Sequence, residues 1–247
     1  MFESFIQKIQ QLISLIQIKE KENIKKAAQK ISDCIQQDGV IHVFGCGHSH
    51  MLGEELFYRA GGLVPINPIL VEELMLHKGA FNSSKLEQTN DYAKEFMNEV
   101  QIKQGDIVIV TSTSGRNPVP IDVALLSKKK GAFVIAITSP KYAENQTSRH
   151  VNGQFLFQTA DLTIDNHIEV GDVLLKSETE GMAFGSGSSI IGMTILNGII
   201  VEAIDLMLQN HFSPPIFKSS NTDGAGEHNQ KLVEKYKNRI PLLLKEK

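Results

Sequence analysis

The stretch Asp106-Ile-Val-Ile-Val-Thr-Ser-Thr-Ser-Gly-Arg-Asn117 indicates both the fold of this chain and the place where it binds a ligand. Its β-branched run predicts a strand buried on both faces, which leads directly into hydroxyls, a glycine and an asparagine. The stretch Val40-Ile-His-Val-Phe-Gly-Cys-Gly-His-Ser49 repeats this arrangement earlier in the chain. Hydroxyls and free N–H groups at the carboxyl ends of parallel strands suit a phosphate monoester. The two junctions therefore predict one anion site built from two loops.

Extended and helical segments alternate along the chain from residue 35 to residue 210. The extended segments are apolar without alternating polar positions, which is typical of strands that helices cover on both faces. Pro65 and Pro68 in the second segment favour an edge strand. The pattern predicts an α/β fold with a three-layer, doubly wound parallel sheet. The predicted strands are Val40–Phe44, Leu63–Val71, Ile107–Thr111, Ala132–Thr138 and Asp161–Ile164.

Helical periodicity connects these strands and extends beyond them at both ends. Residues 1–37 carry apolar residues three and four positions apart, which predicts a long amphipathic helix with a break near Lys19–Asn23. Its apolar stripe packs either on its own subunit or on another one, and both alternatives stay open. We predict an N-terminal helical segment over 1–34, one α/β domain over 35–210 and a C-terminal extension over 211–247. The other predicted helices are Met51–Ala60, Ser84–Val100, Pro120–Lys130, Lys141–Gln146, Ser188–Leu208 and about Gln230–Lys237.

The composition is that of an ordinary globular protein, and it argues against several classes. The 247 residues carry a formal net charge of −3, which gives no electrostatic footprint for nucleic acid. The N-terminus lacks a basic region followed by an apolar block, and no apolar run reaches the roughly 18 residues of a membrane span. Cys34 and Cys46 are the two cysteines, and they form no CxxC motif. We expect a reduced, cytoplasmic protein with no nucleic-acid partner and no membrane segment.

The first loop, Gly45-Cys-Gly-His-Ser49, resembles a dinucleotide fingerprint only superficially. His50 stands where the third glycine belongs, and no acidic residue ends the next strand. No Gly-Lys-Ser/Thr follows either, so a P-loop is excluded and we expect no cofactor. The loop reads as a glycine turn that places the Ser49 hydroxyl at a helix N-terminus, where it either binds an anion or serves as a plain N-cap.

The second loop offers more donors than a helix cap needs. Ser112, Thr113 and Ser114 precede Gly115, so three hydroxyls surround one glycine turn. They suit the three oxygens of a phosphate, and the helix N-terminus supplies partial positive charge. An ordinary Ser/Thr-rich turn is the alternative.

Together the two motifs, with Gly53 after the first, resemble the two phosphosugar-binding loops of the sugar isomerase (SIS) domain family. The resemblance covers roughly residues 35–210, and the whole chain is most similar to uncharacterised bacterial SIS proteins that are phosphoheptose isomerase-like. It implies a five-stranded, flavodoxin-like parallel sheet, a phosphorylated sugar as ligand, and homodimers or homotetramers in which neighbouring subunits complete the site. By position, the residues that it places at or near the phosphate are Ser49, Ser112, Ser114, Thr113 and Asn117, with Gly47 and His48 in the first loop.

One departure from the family concerns the catalytic base. Many SIS isomerases carry Gly-Thr-x-Phe-Glu at the start of the helix after the fifth strand, whereas Gly187-Ser-Ser-Ile-Ile191 stands here without the acid. Isomerisation through an enediol needs a base near the substrate carbon and a group that protonates oxygen. The candidates are Glu54 and Glu55, just after Ser49, and His228 in the glycine-rich tail. His50 and Glu54 have the spacing of a helical metal pair but lack a third ligand, so we expect no metal.

Three functions fit these residues. The first is an aldose–ketose isomerase of a sugar phosphate. The second is a non-catalytic phosphosugar sensor, although the residues before the first strand are too few for a helix-turn-helix domain. The third is a lyase or etherase of an amino-sugar phosphate, which would release a second fragment.

Overall fold

The computed structural model describes residues 1–244 and contains a sheet of five parallel strands in the order β2-β1-β3-β4-β5. This confirms the predicted doubly wound α/β fold, with β2 at an edge. The strands of the sheet are β1 (Ile41–Gly45), β2 (Ile66–Ile69), β3 (Ile107–Thr111), β4 (Phe133–Thr138) and β5 (Leu162–Asp165), and a separate hairpin is formed by β6 (Leu175–Lys176) and β7 (Ala183–Phe184). The helices are α1 (Phe2–Lys19), α2 (Lys21–Gln36), α3 (Met51–Leu56), α4 (Ala80–Glu87), α5 (Ala93–Met97), α6 (Pro118–Lys129), α7 (Tyr142–Asn145), α8 (Leu156–Thr159), α9 (Ser188–Gln209) and α10 (Ala225–Tyr236).

Both faces of the sheet are covered, as the apolar strands predicted. In β3, Ile107 and Ile109 join the core under α2 and α9, whereas Val108 and Val110 join the core under α5 and α6. Successive side chains of a strand point to opposite faces, so every position of such a strand has to be apolar.

The N-terminal helix breaks at Glu20, inside the predicted interval. The Glu20 carboxylate accepts hydrogen bonds from Nε2 of His167 at 3.1 Å and from the backbone N–H of Asp165 at 3.3 Å, so the break is tied to the end of β5. Helix α2 packs on its own sheet and buries Ile31 and Ile35 completely. Helix α1 buries Ile9 and Ile16 and leaves the rest of its apolar stripe more exposed.

Three predicted helix boundaries were wrong, each for a backbone reason. Asp91 adopts a left-handed conformation with φ of 67°, which splits the single helix predicted over Ser84–Val100 into α4 and α5. Tyr58, with φ of 50°, follows the early end of α3 at Leu56. Gly224, with φ of 74°, starts α10 at Ala225 rather than near Gln230. His228 therefore lies on a helix and not in a loop.

Helix α9 is long and apolar enough to cross a membrane by length and composition alone. Its buried side chains, such as Ile191, Ile195 and Ile199, lie in the core beside α2 and the sheet. The buried side chains, 44% of the apolar stretch, belong to the core, whereas Val201 and Leu208 of the same helix are exposed.

The C-terminal extension packs at the amino end of the sheet. Val233 and Tyr236 of α10 cluster with Val40 and Val64, which precede β1 and β2. Residues 245–247 of the predicted extension lie outside the described residues.

Asp106 is the centre of a buried polar cluster at this end. Its carboxylate accepts the backbone N–H groups of Val40 at 3.0 Å and Lys103 at 2.7 Å, Nε2 of His42 at 3.4 Å, and Nη2 of Arg239 at 2.6 Å. Burial alone would raise the pKa of Asp106, but these hydrogen bonds and the Arg239 charge hold the pKa below its usual range. The cluster thus fixes the C-terminal extension to the start of β3.

Candidate phosphate site

A small polar cavity lies at the carboxyl end of the sheet, where parallel α/β sheets bind ligands. The volume of the cavity is about 10 Å³, which is roughly the room that one water molecule needs. Its polar lining is formed by neutral side chains that come from the ends of β1, β3 and β5 and from the start of α9. These residues are Ser49, Thr111, Ser112, Thr113, Asn166, Ser188 and Ser189.

The first loop is held against β3 by a hydroxyl. Oγ1 of Thr111 contacts the carbonyl oxygens of Phe44 at 3.1 Å and Ser49 at 3.3 Å. Gly45 makes this approach possible, because a Cβ there would lie 2.5 Å from the Ser49 oxygen and 2.6 Å from Oγ1 of Thr111. A side chain at Gly45 would therefore push the two loops apart.

The second loop forms a tight turn that reaches the end of β5. Oγ of Ser112 accepts the N–H of Gly115 at 3.3 Å. Gly115 has φ of 55°, and a Cβ there would lie 2.5 Å from Oγ1 of Thr138, so both the backbone and the space require glycine. Nδ2 of Asn166 donates to Oγ1 of Thr113 at 3.2 Å. Three strand ends thus meet through side-chain contacts.

The Ser49 and Ser189 hydroxyls have no hydrogen bond to any other group within residues 1–244. Both line the cavity, and both can donate to a ligand. The cavity joins these donors to the N-terminal end of the 22-residue helix α9, where the helix dipole favours an anion. This arrangement suits a phosphate without any formal positive charge in the lining.

Sequence reasoning placed three of these residues in the site, Ser49, Ser112 and Thr113. It did not include Thr111, Asn166, Ser188 and Ser189. The sequence did contain a signal for these residues: Asn166 closely follows a predicted strand, and Ser188 and Ser189 begin a predicted apolar helix. Four predicted residues do not line the cavity, and their contact with phosphate stays a prediction: Gly47, His48, Ser114 and Asn117.

Asn117 instead takes part in a network at the start of α6. Its Oδ1 accepts Nη1 of Arg149 at 2.9 Å. Burial raises the pKa of the neighbouring Glu87, and the Asn117 side chain partly offsets this rise. This network lies next to the second loop along the chain and positions its last residue.

The predicted acids lie at different distances from the cavity. Glu54 is about half exposed, with its Oε2 3.6 Å from Nε2 of His50, one turn after Ser49. Glu55 is bound to Nη1 of Arg59 at 2.9 Å and to Nδ2 of Asn197 at 3.1 Å. Asn197 lies eight residues beyond Ser189, roughly 12 Å along the axis of α9. Glu55 is therefore engaged away from the hydroxyls.

His228 lies at the opposite end of the sheet within its own chain. Its Nε2–H donates to the carbonyl oxygen of Ile216 at 2.9 Å, and Ile216 pairs with Leu63 just before β2. The histidine is therefore remote from the cavity of its own chain.

The two cysteines are free, buried thiols. Burial raises the pKa of the Cys34 thiol to about 12, and burial also raises the pKa of Cys46 well above its usual value. A thiolate is the reactive form, so neither side chain is suited to act as a nucleophile.

Comparison with known proteins identifies the family. Residues 4–139 match the SIS domain. The chain belongs to the SIS domain family. It is 54% identical over 244 residues to a UPF0309 protein of Geobacillus sp. (strain WCH70), covering 99% of both chains. It is also 53% identical over 243 residues to a UPF0309 protein of Listeria innocua, covering 98% of both.

Solved structures share the SIS fold at low sequence identity. A phosphoheptose isomerase from Francisella tularensis superposes with a TM-score of 0.53 at 14% identity, over 82% of this chain and 95% of that one. Phosphoheptose isomerase GmhA from Neisseria gonorrhoeae gives a TM-score of 0.50 at 15% identity, over 83% and 95% of the two chains. At such identities the likeness shows the fold of the SIS domain here.

Proposed function

We propose that this SIS domain binds a phosphorylated sugar with the phosphate in the hydroxyl cavity and interconverts its aldose and ketose forms. One observation carries the proposal: neutral hydrogen-bonding side chains from three strand ends meet the start of α9 in a single cavity. A phosphate dianion is held well by several hydroxyl and backbone donors at a helix N-terminus. The solved relatives that are phosphoheptose isomerases support extending that substrate and reaction class to this chain.

Glu54 is the carboxylate that we assign to proton transfer. It removes the proton from the carbon beside the carbonyl, giving an enediol, and returns the proton to the neighbouring carbon, while a hydroxyl proton moves between the two oxygens. Its half-exposed carboxylate is free of the ties to Arg59 and Asn197 that hold Glu55. We assign protonation of the substrate oxygen to His228 of another subunit, because within one chain the sheet lies between His228 and the cavity.

We propose a homodimer or homotetramer, which the exposed apolar surface supports and which the use of His228 requires. Phe2 is 77% exposed on α1, and Val201 and Leu208 are 66% and 56% exposed on α9. Large apolar side chains on two helices favour burial against another copy. Val201→Asp is expected to shift the mass measured by light scattering towards the monomer, whereas Ser84→Asp on exposed α4 leaves it unchanged. Equal masses for both variants would contradict the assignment of this surface.

Ser49→Ala is expected to weaken sugar phosphate binding by about 10- to 100-fold. A hydrogen bond to a charged group contributes roughly 1.5–3 kcal/mol, and about 1.4 kcal/mol corresponds to tenfold in affinity. Because Ser49 makes no side-chain bond within residues 1–244, the fold is expected to keep its stability. The measurement is a thermal-shift screen over sugar phosphates, followed by titration of the best ligand.

The control for this variant is Ser84→Ala, which removes an exposed hydroxyl of α4. Equal affinities for wild type, Ser49→Ala and Ser84→Ala would place the phosphate elsewhere. Product analysis then separates the other functions: binding without turnover indicates a sensor, and release of a second fragment indicates a lyase or etherase. We place the protein in the cytoplasm, on the basis of its free, buried thiols.

A further inference from the structure

A carboxylate from another part of the chain occupies the start of α9. Oδ1 of Asp172 accepts the backbone N–H groups of Gly187 at 3.1 Å and Ser188 at 3.0 Å, and its Oδ2 accepts the Ser188 hydroxyl at 2.7 Å. Ser188 lines the hydroxyl cavity. Its hydroxyl and its N–H are therefore both donated to an internal anion on the side of α9 that adjoins the proposed phosphate site.

The cavity is narrow for a phosphate group, although one side of it is open to solvent. Its roughly 10 Å³ accommodates about one water molecule, whereas a phosphate alone has five heavy atoms. Movement of the wall that carries Ser188 would make room for the ligand.

The segment that carries Asp172 is suited to such a rearrangement. Residues 169–186, here called the strap, run from the end of β5 to the start of α9 and include the short β6–β7 hairpin. Glu169, Lys176 and Met182 of the strap are exposed, and Asp172 itself has a left-handed φ of 54°. A segment with few buried contacts opens at low free-energy cost.

We infer that Asp172 is an internal competitor of the ligand phosphate: its carboxylate keeps the site closed, and phosphate binding displaces it together with the strap. This inference rests on the proposed function, because it takes the hydroxyl cavity as the phosphate site. The displaced Asp172 frees the Ser188 hydroxyl and N–H for the ligand. Its negative charge opposes the phosphate until it leaves, so ligand-free protein stays closed.

The test compares inorganic phosphate binding, by calorimetric titration, to wild type, Asp172→Asn and Glu169→Gln. Asparagine keeps the shape of the side chain and tolerates the left-handed backbone. Asp172→Asn is expected to bind phosphate about fivefold more tightly or better, since it removes a charge at a helix N-terminus. Glu169→Gln removes the same charge from the same strap, where Glu169 pairs with Lys141 and not with α9, and it is expected to match wild type.

A second measurement uses wild-type protein alone. Saturating phosphate is expected to speed amide hydrogen exchange in the strap at Leu174–Met182, whereas a purely structural cap predicts no such increase. Equal phosphate affinity for Asp172→Asn and Glu169→Gln, with unchanged strap exchange, overturns the inference and leaves the proposed function standing. If neither wild type nor Asp172→Asn binds phosphate or any sugar phosphate, the proposed function is wrong. If Asp172→Asn binds phosphate about fivefold more tightly than wild type, and adding Ser49→Ala to that variant abolishes the gain in affinity, both the inference and the proposed function are supported.

Discussion

Asp106→Ala is expected to lower the free energy of unfolding by about 3–5 kcal/mol, the usual cost of removing one partner of a buried ion pair. The side chain of Asp106 is 2% exposed, and that of Arg239 is 18% exposed. The substitution leaves the guanidinium with its charge uncompensated and the N–H groups of Val40 and Lys103 without their acceptor. Urea unfolding followed by circular dichroism measures the difference.

Lys94→Ala is the control for this prediction. Lys94 of α5 pairs with Asp91, but both side chains are more than half exposed, so loss of this ion pair is expected to cost at most about 1 kcal/mol. The double variant Asp106→Ala/Arg239→Met is expected to be more stable than Asp106→Ala, because it also removes the uncompensated charge. A cost below about 1 kcal/mol for Asp106→Ala would show that the cluster does not anchor the extension.

The same carboxylate makes stability depend on pH. The pKa of Asp106 is lowered in the folded protein, so its contribution is complete above the unfolded value of about 3.9 and is lost as the pH falls through the folded value. Wild type is expected to lose more stability than Asp106→Ala between pH 5 and the acid limit of folding. Parallel stability curves for the two proteins would contradict this.

Glu54→Gln is expected to lower turnover of the sugar phosphate by about 10²- to 10⁴-fold, the range for loss of a general base. The amide has the shape of the carboxylate but cannot accept the carbon-bound proton. The hydroxyl cavity is untouched, so KM is expected to change by no more than a few-fold. Steady-state kinetics on the sugar phosphate found by screening separates the two constants.

Glu55→Gln is the matched control, since it makes the same change at the next residue. Glu55 is held by Arg59 and Asn197, and a smaller effect on turnover is expected. Should Glu55→Gln lose turnover while Glu54→Gln keeps it, the base is Glu55 and α3 has to turn on ligand binding. Sugar phosphate binding that survives in every variant, with no turnover in wild type, would favour the sensor.

The sequence predicted the strands well because each is a short apolar run between polar segments. The strand predicted over Ile107–Thr111 has the same bounds as β3. The predicted ends of the other four strands of the sheet lie within about three residues of the observed ends. The helices were harder, because their ends depend on single backbone angles that distant groups help to set. The left-handed Asp91 is an example: its N–H is held by the Asp122 carboxylate at 2.9 Å, thirty-one positions away.

The residues of the candidate site likewise include some that the sequence located and others that only the structure located. Ser49, Ser112 and Thr113 follow strands directly, so the sequence alone located them at the carboxyl edge of a parallel sheet. Asn166 and Ser188 join them because the strand order brings the end of β5 and the start of α9 to the same edge.

The sequence by itself determined a doubly wound sheet and two hydroxyl-bearing loops, since apolar runs and the residues that follow them are local properties. Only the tertiary structure decided what surrounds those loops. It placed Asp172 on the N-terminus of α9, sixteen positions from Ser188, and it placed Arg239 on Asp106 across 133 positions. It also separated His228 from the cavity of its own chain. Such contacts depend on how elements pack, because a carboxylate finds its donors through space and not along the chain.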